Sequence, residues 1–253
     1  MGTSLIVLKN KTAIEKMRTA GKKLAQIMLE IEEYVVPGAN TFDLDAIIEE
    51  KMRKSGLKPE CKGYAGYRHA TCISLNDGVV HGIPSKEVIL KSGDFVKIDV
   101  VGSYQKYCAD MTRPYFVGEV SPLVVRLARV AQRSLDAAIA KIAPNVFLSD
   151  ISATVQQEVE QEGFGVVRQF FGHGIGRSIH EYPDVPNFGT PGRGPLLQQG
   201  MTLAIEPMIT AGSYEIYVLK DGWTAKTKDG SLAAHVEDTV VVTHDGFEVL
   251  TRI

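Results

Sequence analysis

The sequence predicts an α+β fold: a mixed, largely antiparallel sheet in two equivalent halves about a pseudo-twofold axis, covered by two pairs of helices. Three observations predict it. The chain repeats itself at an offset of 107 residues, which carries Leu90, Gly93, Val96, Ile98 and Asp99 onto Leu197, Gly200, Leu203, Ile205 and Glu206. Pro37, Asp43 and Gly56 fall on Pro144, Asp150 and Gly163 by the same shift. Each half runs as two helical stretches followed by strands, and the strands come in groups with hairpin spacing.

The elements follow in order. From about 12 to 35, Ile14, Met17, Leu24, Ile27, Met28 and Ile31 lie near one helical face, and Pro37–Gly38 breaks the pattern. Thr41 or Asp43 can cap a second helix that runs to Lys54 and stops at Gly56. In the second half a helix over 122–142 ends before Pro144, and Ser149 or Asp150 caps another that ends near Gly163. TCISL, FVKIDVVG, QKYCADMTRPYFV, TLAIEPMI and HVEDTVVVT read as strands. No Ser-, Gly- or Pro-rich linker parts the halves, so one domain over 1–253 is expected, its repeat spanning about 12–106 and 119–242.

Composition narrows the class of partner. A net charge of −2 gives no global pull toward nucleic acid or an anionic membrane. No apolar run approaches the ~18 residues that cross a bilayer. Cys61, Cys72 and Cys108 are odd in number and form no CxxC pair, which favours a reducing, cytoplasmic setting.

The repeat carries acids where a core would not want them. In each half an apolar strand ends on a carboxylate, KIDV with Asp99 and AIEP with Glu206. A buried carboxylate without a partner costs several kcal/mol or stays protonated. Asp99 and Asp110 are symmetric about Tyr104–Gln105, so a tight turn there sets them directly opposite, about 5 Å apart. One of them could equally face solvent or cap a turn. Glu237 lies just before the β-branched run TVVV, and His173 sits between glycines that permit close backbone approach and tight turns. Two Asp, two Glu and one His form an oxygen-rich set whose charge offsets two divalent cations. Such a set suits Mn²⁺, Fe²⁺ or Co²⁺, accepts Zn²⁺, and matches two-metal hydrolytic sites. The GHGIG run lacks the Lys and the strand–loop–helix setting of a phosphate loop.

These residues resemble type I methionine aminopeptidases, metallopeptidases of the pita-bread fold. The resemblance is carried by CISLNDGVVHGIP, GDFVKIDV, CADMT, FGHGIG, IHEYPDVPNF, AIEPM, KDGWTAKTKD and HVEDTVVVT, in order from about residue 12 to the end. It implies a metal-dependent exopeptidase that removes the N-terminal methionine from nascent proteins and peptides when a small residue follows. The implied ligands of two cations (Co, Mn, Fe or Zn) are Asp99, Asp110, His173, Glu206 and Glu237, with Asp110 and Glu237 shared between them. Paired cations lower the pKa of water enough to supply hydroxide at neutral pH. Glu206 is the implied proton shuttle, His180 the donor to the developing oxyanion, and His81 the partner of the scissile nitrogen.

The resemblance also implies a methionine pocket of Cys61, Tyr64, Tyr67, Cys72, Ile179 and Trp223, an apolar sulfur-and-aromatic cup suited to a thioether. Three positions depart from the commoner pattern. Ile179 often corresponds to Phe, which widens the pocket mouth. His235 often corresponds to Gln and could bond a ligand or titrate near neutrality. His69 stands where Lys is common.

Glu206 and Glu237 are 31 positions apart, too close for the long insertion of type II relatives. Proline-specific aminopeptidases and prolidases share fold and ligands, but they generally need a large preceding domain. A pita-bread binding module without catalysis would be marked by lost ligands. A monomer is expected. Lys220, Lys226 and Lys228 crowd a predicted loop that could touch ribosomal RNA, although a solvated surface explains them too.

Overall fold

A computed structural model describes residues 5–253; the expected domain start at residue 1 lies outside the described residues. Four helices carry the outer layer. α1 (Lys11–Ile31) is capped by the Asn10 side chain, which accepts from the Ala13 N–H. It tightens into a 3₁₀ turn, Glu32–Tyr34, so the helix proper stops short of the predicted residue 35. α2 (Thr41–Lys54) is capped by Asn40, one position before the expected Thr41 or Asp43. Asn40 is the residue in extended backbone, and its Oδ1 accepts from the Asp43 N–H at 2.8 Å. α3 (Pro122–Ile139) starts after Ser121 and ends three residues before 142. α4 (Leu148–Glu160) places Ser149 and Asp150 inside its first turn, where Asp150 accepts from the Phe147 N–H.

The sheet carries both halves. Its spine runs Lys58–Pro59, Phe95–Tyr104, Tyr107–Phe116, Glu237–Val242, Thr202–Ile205, Gly172–Gly174 and Glu181–Val185. Thr71–Leu75 also pairs Phe95–Tyr104, and Phe247–Val249 pairs Glu237–Val242. Every pairing among the described strands is antiparallel, so the expected mixed character is corrected. Hairpins and long returns join these strands, and no parallel crossover is formed. TLAIEPMI breaks into Thr202–Ile205 and Met208–Thr210, and HVEDTVVVT into Ala233–His235 and Glu237–Val242.

The duplication is visible in the backbone. The isolated bridge Asn40–Ile89 has its copy in Phe147–Leu196. Left-handed φ recurs at equivalent places: Gly38 and Asn145, Gly56 and Gly163, Gly93 and Gly200. Each half also has its own core. Leu24, Met28, Ile48, Met52, Ile98 and Met111 pack under α1 and α2. Leu127, Leu135, Ile151, Val155, Leu203 and Val240 do the same under α3 and α4. A third apolar cluster includes Cys61, Tyr67, Cys72, Val101 and Ile179.

Candidate metal centre and substrate cavity

The hairpin Phe95–Tyr104/Tyr107–Phe116 supplies the first two acids, in a register different from the expected one. Its turn is Gln105–Lys106, with φ of 48° and 69°, so Asp99 faces Thr112 while Asp110 faces Val101. Both positive angles match the twist that two-residue hairpin turns require. The acids share one face as diagonal neighbours, which separates them more than a directly opposed pair.

The second half closes the site from three neighbouring strands. Glu237 pairs with Thr112, and the Thr112 hydroxyl donates to Glu237 Oε2 at 3.1 Å. His173 sits within the strand Gly172–Gly174, opposite Ala204. Its flanking glycines serve close approach and make no turn: a Cβ on Gly172 would meet Ala204 O at 2.3 Å, and one on Gly174 would meet Tyr182 O at 2.6 Å. Glu206 follows the strand Thr202–Ile205, and its carbonyl accepts from Asn187 Nδ2 at 2.9 Å.

One donor atom each from Asp110, His173 and Glu237 lies within 4.8 Å of the others. His173 donates from Nδ1 to Gly174 O at 2.8 Å, which leaves the Nε2 lone pair facing Glu206 Oε1 at 3.6 Å and Asp110 Oδ2 at 3.9 Å. An imidazole held through its other nitrogen is the usual state of a metal-ligating histidine. Asp110 Oδ1 and Glu237 Oε1 are buried with no hydrogen-bond partner. Burial lifts Asp99 to about 6 and Glu206 to about 8, and it raises Asp110 and Glu237 well above the carboxylate range. It also pulls His173 down to about 3. Acids that resist ionisation beside a neutral imidazole with a free lone pair fit a divalent cation. This is a buried metal-binding site.

Asp99 and Glu206 line the same 140 Å³ cavity as those three residues. His81, His180, Cys61, Tyr64, Tyr67, Cys72, Ile179 and Trp223 line it as well, so the structure brings every candidate site residue to one place. A groove of 590 Å³ between α1 and the C-terminus is larger, but its two arginines, Arg113 and Arg252, are tied to Asp238 and no acid cluster faces it. Chemistry, and not size, marks the smaller cavity.

The cavity has an apolar wall and a polar mouth. Tyr67, Cys61, Cys72 and Ile179 are buried, and Trp223 packs edge-on to Tyr67 with centroids 4.9 Å apart. The hydrogen bond with Cys72, then burial, push the Cys61 thiol up, so it stays protonated. At the mouth, His180 Nδ1 pairs with the Tyr64 hydroxyl at 2.8 Å. When that hydroxyl donates, the ring proton resides on Nε2, the tautomer able to donate to substrate. His81 holds φ at 58°, a conformation rare outside glycine, and its ring stands edge-on to Phe170 and Trp223. Burial lowers His81 to about 4 and also lowers His180.

Of the two expectations for His235, titration near neutrality is corrected. The residue is buried in the strand Ala233–His235, and burial takes it to about 4, away from neutrality. Its Nε2 lies 3.3 Å from Glu206 Oε2 but outside hydrogen-bond geometry, and it has no partner. His69 pairs with the buried Asp45 at 3.1 Å. The lysines differ too: Lys226 belongs to the strand Ala225–Thr227 and pairs with Asp77 at 3.0 Å, while Lys228 lies 3.5 Å from Glu215.

Sequence reasoning missed Thr112, Asn187, Thr239 and the Asp238 network. The Thr239 hydroxyl accepts from the Asp110 N–H and donates to the Asp110 carbonyl, both at 2.8 Å. Asp238 is fully buried and bonds Arg113, Thr251 and Arg252. Asp238 follows Glu237 directly, and that adjacency is the one signal that could have found it.

The family model for metallopeptidase family M24 matches residues 15–244. A methionine aminopeptidase of Clostridium perfringens is 47% identical over 249 residues, covering 98% of this chain and 100% of its own. The crystal structure of a methionine aminopeptidase from Thermotoga maritima superposes with a TM-score of 0.97 at 45% identity, over 98% of this chain and 100% of that one. A prolidase from Pyrococcus furiosus, 23% identical with a TM-score of 0.78 over 98% of this chain and 66% of its own, shares the fold. The chain belongs to metallopeptidase family M24, with the pita-bread fold, and within that family to the type I methionine aminopeptidases.

Proposed function

We propose that this chain removes the N-terminal methionine from peptides and nascent proteins that carry a small second residue. One observation carries the reading: the buried acid–imidazole cluster and the sulfur-and-aromatic cup line a single cavity of 140 Å³. A flexible thioether gains dispersion and S–aromatic contact from Tyr67, Trp223, Cys61 and Cys72.

Asp99, Asp110, His173, Glu206 and Glu237 would hold two divalent cations, of Co, Mn, Fe or Zn. Such cations supply Lewis acidity and lower the pKa of water. The chain's own side chains do the rest. Glu206 moves the proton of the attacking water toward the leaving nitrogen. His180, oriented by Tyr64, donates to the oxygen of the scissile carbonyl as it gains charge. His81 faces the scissile nitrogen, held by packing against Phe170 and Trp223. The retained donor set speaks against a binding module without catalysis. A panel of Met-Xaa peptides tests the reading. Cleavage should favour Gly, Ala or Ser at Xaa, and efficient release of proline-adjacent residues in its place overturns it.

A reducing cytoplasm belongs to the same proposal, supported by three free, buried cysteines, and a monomer is proposed with it. A ribosomal contact through Lys220, Lys226 and Lys228 is a separate one. The acid partners of Lys226 and Lys228 offset much of their charge. Reversing all three charges without changing ribosome co-sedimentation at low salt removes the idea.

A further inference from the structure

The segment before α1 inserts one charged side chain, Lys9, against Glu181, the residue after His180. Lys9 is buried, with its side chain 4% exposed, and its Nζ lies 2.5 Å from Glu181 Oε2. The ammonium also donates to Val7 O at 2.9 Å, and the Lys9 N–H to Gly200 O at 2.8 Å. Two glycines make the room. A Cβ on Gly176 would meet Lys9 Cε at 2.4 Å, and one on Gly200 would meet Lys9 O at 2.9 Å. A buried ammonium so closely fitted is stabilising only while its carboxylate partner is in place.

Glu181 passes this constraint on. Its other oxygen, Oε1, accepts from the Arg177 N–H at 2.8 Å and from the Ser178 N–H at 3.3 Å. One carboxylate therefore ties Lys9 to the backbone that leads into Ile179 and His180. His180 itself is exposed at the cavity mouth, where it pairs with Tyr64 and packs edge-on against His173 with centroids 4.3 Å apart. The loop is also tied by the Cys108 N–H to Gly176 O at 2.7 Å and by Arg177 Nε to the Tyr107 hydroxyl at 3.2 Å, but only the Glu181 carboxylate binds the Arg177 and Ser178 amides.

We propose that Lys9 is a positioning residue: through Glu181 it holds the turn Arg177–Ser178 so that His180 points at the substrate carbonyl. The inference rests on the role given to His180 in the proposed function. A displacement of an oriented catalytic group by a fraction of its own bond lengths is enough to slow the reaction severely.

The test is a double-mutant cycle between Lys9 and His180 in the metal-loaded enzyme, read on a Met-Ala-Ser peptide. Lys9→Met should lower kcat roughly tenfold with little change in KM. In a His180→Ala background the same substitution should change kcat less than about twofold, because the group it orients is gone. Hydrogen exchange at the Arg177 and Ser178 amides should speed up in Lys9→Met and in Glu181→Gln. Equal losses in both backgrounds, or a wild-type kcat in Lys9→Met, overturn the proposal while leaving the function standing. A His180→Ala enzyme with wild-type kcat overturns the role of His180 and the proposal with it.

Discussion

The ionisation of Glu206 depends on what fills the site. Burial lifts its carboxyl to about 8, and Asp99 to about 6. A group with a raised folded pKa keeps a proton that the unfolded chain releases. Its stabilising contribution is complete below the unfolded value and is lost as pH rises through the folded one. The buried histidines act in the opposite sense. His81, His173 and His235, taken down to about 4, 3 and 4, support the folded state above their ordinary value of 6.5 and lose that contribution as pH falls. Between pH 6.5 and 8 the acids decide. Stripped of cations, the protein should lose thermal stability as pH rises through this window, and saturating Mn²⁺ should reverse the trend. Melting curves at stepped pH, with and without Mn²⁺, check the sign; a stripped protein that becomes more stable across the window would contradict it.

Single substitutions separate the roles of these groups. Glu206→Gln should fold and retain cations, yet lose kcat by roughly 10²-fold or more. His81→Ala and His180→Ala should each lower kcat by about 10²-fold, as loss of one transition-state donor does. Steady-state kinetics decide: an effect confined to KM would reassign the residue to substrate binding. The residue types at these positions were legible beforehand because carboxylates and histidines are out of place in apolar strands. Thr112, Thr239 and Asn187 were not, since a lone Thr or Asn in a strand or loop has many ordinary reasons to be there.

Strands and turns show where local reading stops. Helix existence followed from apolar spacing, but the caps did not. Asn40, Thr41 and Asp43 can all cap, and only the extended backbone at Asn40 selects it. The hairpin turn has no Gly or Asn to mark it, so the one-residue difference between Tyr104–Gln105 and Gln105–Lys106 was invisible. That difference moves Asp99 and Asp110 from opposed to diagonal. The glycines around His173 prove to be a packing device: they let its strand approach Ala204 and Tyr182. Gly172→Ala should therefore destabilise by about 1–3 kcal/mol through overpacking. Metal affinity should fall in the same variant, because His173 is displaced. Calorimetric Mn²⁺ titration beside a melting curve checks both, and unchanged affinity would mean that the strand absorbs the extra methyl.

Across the whole chain, the cluster is assembled only by folding. Asp110 and Glu237 come from strands far apart in sequence and meet where the two halves join. Cations that bind only the folded state stabilise it by mass action, about 2.7 kcal/mol at a hundred times the dissociation constant. The melting temperature of stripped protein should accordingly climb with the logarithm of Mn²⁺ concentration, and Asp110→Asn should flatten that slope. Calorimetry at several concentrations reads both; equal slopes would place the cations elsewhere.

Periodicity, punctuation by proline and glycine, and the internal repeat are written in neighbouring residues, so the sequence alone established the duplicated α+β order and the misplaced acids. The hairpin register, the unpartnered Nε2 of His235 and the seat of Lys9 between Gly176 and Gly200 were left to tertiary packing. Each of these depends on which backbones touch across gaps of tens to hundreds of residues, and no local pattern encodes such a meeting.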